Sequence, residues 1–212
     1  MTTVTAFKRV PDFARGLVRD LRVRWALEEA GIPYRAELIG PEDQASAGYR
    51  ARQPFGQVPA FEDDGVSLFE SGAIVLHIGA RSETLMPTDA AGRARATTWV
   101  FAAINSIEPM VQQLGEIDLF GAGQEWAKAR RPEVEKRVKR RLTELAAWLG
   151  ERDYLEGRFT VGDLMMTTVL RMLRNTQLVA QEPRLAAYLR RCEARPAFQR
   201  ALHDQMAAFV AA

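Results

Sequence analysis

The spacing of apolar positions changes along this chain and divides it in two. Up to about residue 82, short alternating runs are interleaved with two helical stripes. Beyond about residue 90, every patterned stretch carries helical spacing. Val4 to Phe7 alternates and is short enough for a strand. An unusually long connection, Lys8 to Asp20, follows. Leu21 to Ala30 reads as a helix with Val23, Leu27 and Ala30 on one face, stopped at Gly31 and again at Pro33. Tyr34 to Ile39 predicts a second strand, and Gly40 to Gln53 a polar loop with a short helix. Ala60-Phe61-Glu62 and Ser67-Leu68-Phe69 flank Asp63-Asp64-Gly65, a D-G hairpin signal, and Ser71 to Ala80 reads as a helix. The order βαβ–ββα makes this half an α/β unit with helices against a sheet.

Thr84 to Asp89, with Pro87, is the best linker candidate. The expected organisation is therefore a first domain at 1–82, a linker at 83–89 and an all-helical domain at 90–212. Ala91 to Leu114 places Trp99, Ala103, Ile107 and Met110 at helical spacing, and Pro109 should bend or break that helix. Pro132 to Leu149 predicts a charged amphipathic helix with Val134, Val138, Leu142, Leu145 and Leu149 along one face. Thr160-Val161-Gly162-Asp163 has capping-box form with Asp in place of Glu, and Phe159 and Leu164 suit a staple around it. Val161 to Leu173 follows as a central apolar helix. Pro183 to Cys192 and Pro196 to Val210 are expected to finish the bundle.

A chain of 212 residues can bury a real core. A net charge of +2 is too small to argue for nucleic acid or a membrane surface, and there is no long apolar run to span a bilayer. The start of the chain lacks the basic-then-apolar order of a secretory signal. The single Cys192 excludes an internal disulfide and a C-x-x-C motif, and suits a reducing cytoplasm. His77 and His203 have no ligand partners at metal spacing. The basic run from Lys128 to Arg141 is interleaved with Glu133 and Glu135, as on a solvated helix face.

Two short motifs remain as candidate chemistry. In Gln57-Val58-Pro59 the proline removes a backbone donor at the entry to an apolar stretch. A cis bond there would turn the Val58 main chain outward, toward an extended peptide ligand bound as an added strand. In Glu70-Ser71, at a strand end opening a helix, Ser71 and the first helical N–H groups suit a carboxylate, and Glu70 an ammonium. Helix capping is the plainer reading of the same pair, and the two are compatible.

The run Pro54-Phe55-Gly56-Gln57-Val58-Pro59-Ala60-Phe61, the Glu70-Ser71 pair with Ile74, and Arg22 through Tyr34 resemble the amino-terminal domain of a soluble glutathione S-transferase. Phe159-Thr160-Val161-Gly162-Asp163 and Arg195-Pro196-Ala197-Phe198 resemble its second half. The resemblance implies a thioredoxin-like α/β domain followed by an all-helical domain, a cytoplasmic homodimer, and detoxification by attack of glutathione thiolate on an apolar electrophile. It implies glutathione as co-substrate, no metal, and glutathione contacts at Gln57, Val58, Pro59, Glu70 and Ser71. The electrophile is expected between the first domain, at Phe13, and the helix around Met110 and Gln113. The chain departs from the family at Lys8 to Asp20, which contains no Ser, Thr, Tyr or Cys to stabilise the thiolate. Arg15 and Arg19, or the N–H groups near Leu17 to Arg19, are the expected substitutes. A glutathione-binding or protein-interaction module without transferase chemistry, and a glutathione-dependent peroxidase or disulfide reductase, are the alternatives.

Overall fold

A computed structural model of the chain describes residues 1–210. It divides into two compact units, Met1–Thr88 together with the segment from Ala194 onward, and Asp89–Glu193. The first unit is built on a four-stranded sheet in the order β2-β1-β3-β4, with β1 at Thr2–Phe7, β2 at Tyr34–Ile39, β3 at Ala60–Asp63 and β4 at Val66–Phe69. β1 and β2 run parallel from Thr2 opposite Tyr34 to Phe7 opposite Ile39, while β3 is antiparallel to both β1 and β4. The parallel pair requires a crossover, which α1 (Asp20–Ala30) supplies. Gly31, at φ 65, ends α1 in the left-handed conformation that glycine adopts without steric cost.

The polar stretch after β2 forms two short helices, α2 (Pro41–Ala45) and α3 (Ala47–Arg52). They part at Ser46, whose hydroxyl accepts the Tyr49 N–H at 3.1 Å and so starts the second helix. After the hairpin, α4 (Ser71–Gly79) packs on α1.

Residues Asp20 to Leu27 of α1 are all buried. The helix that covers α1 comes from the far end of the chain, Pro196–Val210. Phe198 meets Trp25 edge-on at 4.8 Å, and Arg195 donates two hydrogen bonds to the Glu29 carboxylate at 2.5 and 2.7 Å. Gln205 donates to Asp20 Oδ1 at 2.7 Å and to the Val18 carbonyl at 3.1 Å. The last helix therefore belongs to the first unit and does not close the bundle. Its stripe of Phe198, Ala201 and Gln205 shows that one face is buried, but the period of a helix does not say against what.

In the second unit, α5 (Ala90–Phe101) runs through a π-helical segment, Ala102–Ile107, into α6 (Glu108–Phe120). Pro109 falls in the first turn of α6, where a missing N–H breaks no helical bond. The expected break is thus absorbed by the π segment just before it. α7 spans Glu125–Leu149 and keeps Pro132 inside, so it starts seven residues before the expected boundary. Its buried stripe, Ala127, Val134, Val138, Leu142, Leu145 and Leu149, runs across the proline. Continuous burial outweighs the loss of one backbone bond at Pro132. α8 (Val161–Arg171) is buried from Val161 to Leu170, and α9 is Pro183–Glu193. The final element, Pro196–Val210, is α10. No helix among the described residues is long and apolar enough to cross a membrane.

Candidate functional site

The hairpin register brings the two sequence motifs to one edge of the sheet. Ala60 lies opposite Phe69, so Val58-Pro59 and Glu70-Ser71 flank the same end of the β3–β4 pair. The Val58–Pro59 peptide bond is cis. No hydrogen bond engages the Val58 main chain among the described residues. Gln57 has an exposed side chain, while its carbonyl accepts the Tyr49 hydroxyl at 2.6 Å.

That bond belongs to a short relay with a defined direction. A carbonyl only accepts, so Tyr49 spends its proton on Gln57. The 3.0 Å contact between Tyr49 and Thr5 hydroxyls must then be donated by Thr5, and Thr5 Oγ1 in turn accepts the Ala60 N–H at 2.6 Å. Strand β1, helix α3 and the Gln57–Pro59 segment are tied together through buried groups. Burial raises the Tyr49 hydroxyl above its ordinary pKa.

On the other side of the hairpin, Glu70 has φ 67 and ψ 112, a backbone conformation that non-glycine residues seldom adopt. Its side chain is exposed and caps nothing. Ser71 is buried and accepts a hydrogen bond at 3.2 Å from Arg22 Nη1, itself buried in the first turn of α1. The first helical bond of α4 runs from the Ile74 N–H to the Glu70 carbonyl. The N–H groups of Ser71, Gly72 and Ala73 thus precede the hydrogen-bond ladder and carry the positive end of the helix dipole.

The connection after β1 departs from the same edge. It holds a 3₁₀ turn at Asp12–Ala14, then Arg15, whose Nε lies 3.2 Å from Asp12 Oδ1. Leu17 donates its N–H to the Ala14 carbonyl at 3.0 Å, and Val18 packs with Phe7 against Ile39, Tyr49, Val58 and Ala60. Arg19 is half-buried immediately before α1. A cavity of about 840 Å³ opens at the carboxyl ends of β1 and β2, a common place for a ligand in an α/β unit. Phe7, Val10, Leu38, Ile39 and Pro41 supply apolar walls. Lys8 lines it too and pairs with Asp43 at 3.4 Å.

Comparison with known proteins gives the same outline. Residues 14–80 match the family model described as glutathione S-transferase, N-terminal domain, and residues 100–196 match the corresponding C-terminal domain. The chain is 30% identical to glutathione S-transferase 4 of Zea mays over 83% of each protein. This chain belongs to the glutathione S-transferase family. A glutathione transferase of Burkholderia graminis, solved with two glutathione molecules bound per subunit, superposes with a TM-score of 0.82 at 29% identity, over 95% of this chain and 87% of that one. A family member from Pseudomonas fluorescens, also with two glutathione bound, gives 0.83 at 26% identity, covering 95% and 92%.

As a glutathione S-transferase relative, the chain collects Gln57, Val58, Pro59, Glu70 and Ser71 at one edge, as the hairpin register requires. Arg15 and Arg19 lie on the connection that leaves this edge. α1 begins at Asp20, after the N–H groups near Leu17 to Arg19, and the Leu17 N–H is already taken. Phe13 sits exposed on the 3₁₀ turn. Met110 is half-buried on α6 of the second unit. Gln113 there lines a small cleft of about 180 Å³ with Ile117, Trp126 and Val134. Three site residues escaped the sequence reading: Thr5, Tyr49 and Arg22. Arg22 left no distinct trace, because α1 also carries Asp20, Arg24, Glu28 and Glu29.

Asp163 has a structural place. Its carboxylate accepts the N–H groups of Leu155 and Thr160, both at 2.9 Å, and the Tyr188 hydroxyl at 3.0 Å. Burial nevertheless raises its pKa to about 6. The basic face of α7 is laced with ion pairs, including Arg137 to Glu133 at 2.5 Å and Lys139 to Glu135 at 2.6 Å. Among the described residues no cluster of His, Cys, Asp and Glu is arranged to hold a metal.

Proposed function

We propose that this protein binds glutathione along Gln57–Pro59 and the start of α4, and joins its sulfur to an apolar electrophile. The observation that carries the reading is the pairing of a disengaged Val58 main chain with the strained Glu70 and the buried Ser71 at one sheet edge. Val58 N–H and C=O would hold the cysteine unit as an added strand. Ser71 and the first N–H groups of α4 suit the γ-glutamyl carboxylate, Glu70 its ammonium, and Gln57 the glycine end. Arg15 and Arg19 are the proposed electrostatic partners of the thiolate, because the connection from Lys8 to Asp20 offers no hydroxyl or thiol. An ordinary thiol ionises near pH 8.5, so lowering that value and fixing the sulfur against the electrophile are the catalytic contributions. The apolar cavity beside β1 and β2, with Phe13 on the same connection, is the first unit's place for the electrophile. A homodimer working in the cytoplasm in detoxification completes the reading.

Calorimetric titration with glutathione at pH 6.5 and pH 8 tests it. Binding that is lost in Ser71→Ala plus Glu70→Gln supports the site, and affinity unchanged by that pair sinks it. Proton release on binding at pH 6.5 would mark ionisation of the thiol. The absent hydroxyl favours one second reading, a glutathione-binding module without transferase chemistry. Binding with no turnover across several electrophiles, peroxides and disulfides would select that reading.

A further inference from the structure

Arg22 stands behind the hydroxyl that the glutathione reading assigns to the γ-glutamyl carboxylate. It is 3% exposed, and its Nη1 lies 3.2 Å from Ser71 Oγ. A guanidinium carries donors and no acceptor, so Ser71 Oγ accepts in this bond. One lone pair of the oxygen is thereby committed, and its proton is left for another acceptor. No group among the described residues takes that proton, although Ser71 is only 5% exposed. The hydroxyl stands at the N-terminus of α4, beside the N–H groups that precede its ladder. Helix dipole and undonated hydroxyl both favour an anionic acceptor in front of Ser71.

We infer that Arg22 is a positioning residue: it holds Ser71 as an obligatory donor toward the carboxylate of the γ-glutamyl end. The inference rests on the glutathione reading above and adds a residue that never touches the ligand. Without Arg22, the Ser71 hydroxyl is free to rotate and to accept, and a ligand carboxylate must compete for it.

The test is a double-mutant cycle read by glutathione affinity, in full-length Arg22→Met, Ser71→Ala and the pair, with Gln57→Ala as reference. Arg22→Met is expected to weaken glutathione about tenfold, the scale of one charge-assisted hydrogen bond. In the Ser71→Ala background the same change is expected to cost less than about twofold, because the two act through one contact. In the Gln57→Ala background it is expected to keep its full tenfold effect, since Gln57 serves the other end of the peptide. A general loss of structure would weaken binding equally in all three backgrounds, and that result overturns the inference. Arg22→Met binding like wild type overturns it as well. If Arg22→Met does not fold, Arg22→Lys carries the cycle: any loss it shows must vanish without Ser71, and a loss that persists overturns the inference. Wild-type protein that fails to bind glutathione overturns the glutathione reading itself. Wild-type binding without coupling between Arg22 and Ser71 overturns the positioning role alone.

Discussion

Tyr49→Phe and Thr5→Val each cut the relay beneath the Gln57–Pro59 segment, but at places of different consequence. Tyr49→Phe removes the donor to the Gln57 carbonyl, which belongs to an exposed residue that water can reach. Thr5 keeps an acceptor after that change, because the Ala60 carbonyl lies 3.3 Å from its hydroxyl. Tyr49→Phe should therefore cost about 0.5–1.5 kcal/mol of stability, the net worth of one ordinary hydrogen bond. Thr5→Val removes the acceptor of the Ala60 N–H, and Ala60 is wholly buried. An unsatisfied buried donor costs about 1–3 kcal/mol, and Tyr49 loses its incoming donor as well, so Thr5→Val should cost about 2–4 kcal/mol. Urea denaturation at equal m value reads the difference as a shift in midpoint. Glutathione affinity should nonetheless fall severalfold in Tyr49→Phe, because the segment that presents Val58 loses its tie to α3. Equal destabilisation by the two variants would refute the proton order derived for the relay. Unaltered affinity in Tyr49→Phe would refute its hold on the binding segment.

Further predictions concern the frame around the site. Asp163→Ala strands the N–H groups of Leu155 and Thr160 and should cost about 3–5 kcal/mol in chemical denaturation. Burial raises the Asp163 carboxyl from 3.8 to about 6, so the folded chain holds this proton more tightly than the unfolded chain. Its contribution is full below about pH 4 and is lost as pH rises through 6, on the order of 3 kcal/mol, and Asp163→Asn should flatten that part of the stability profile. Gly162→Ala places a methyl group 2.5 Å from Trp99 Cβ, which belongs to a packed helix and cannot swing aside, so a loss of about 1–3 kcal/mol is expected by thermal unfolding. Arg195→Ala removes the two-bond fork on the Glu29 carboxylate and should loosen α10 from α1, costing about 1–3 kcal/mol and raising amide exchange along α10.

Local interactions were legible in the sequence because they need only neighbouring residues. Alternation and the Asp64-Gly65 turn predict the hairpin, and its register alone brings Val58-Pro59 and Glu70-Ser71 to one edge. Gly31 ends its helix where expected, and Thr160 with Asp163 forms the cap its spacing implies. Motif resemblance supplied what periodicity could not, glutathione as the ligand proposed for that edge. Other features required the folded chain. Pro132 reads as a helix start, yet α7 continues through it because a buried stripe on both sides outweighs one missing bond. Pro196–Val210 shows an apolar face with no indication of its partner, and only packing sets Phe198 on Trp25. Arg22 and Ser71 are 49 residues apart, and Thr5 and Tyr49 are 44 apart. Local sequence determines which backbone conformations are favourable and which faces are apolar. Which buried donor meets which acceptor is decided by the three-dimensional approach of distant segments, and in this protein that approach sets the proton on Ser71 and the tether on Gln57.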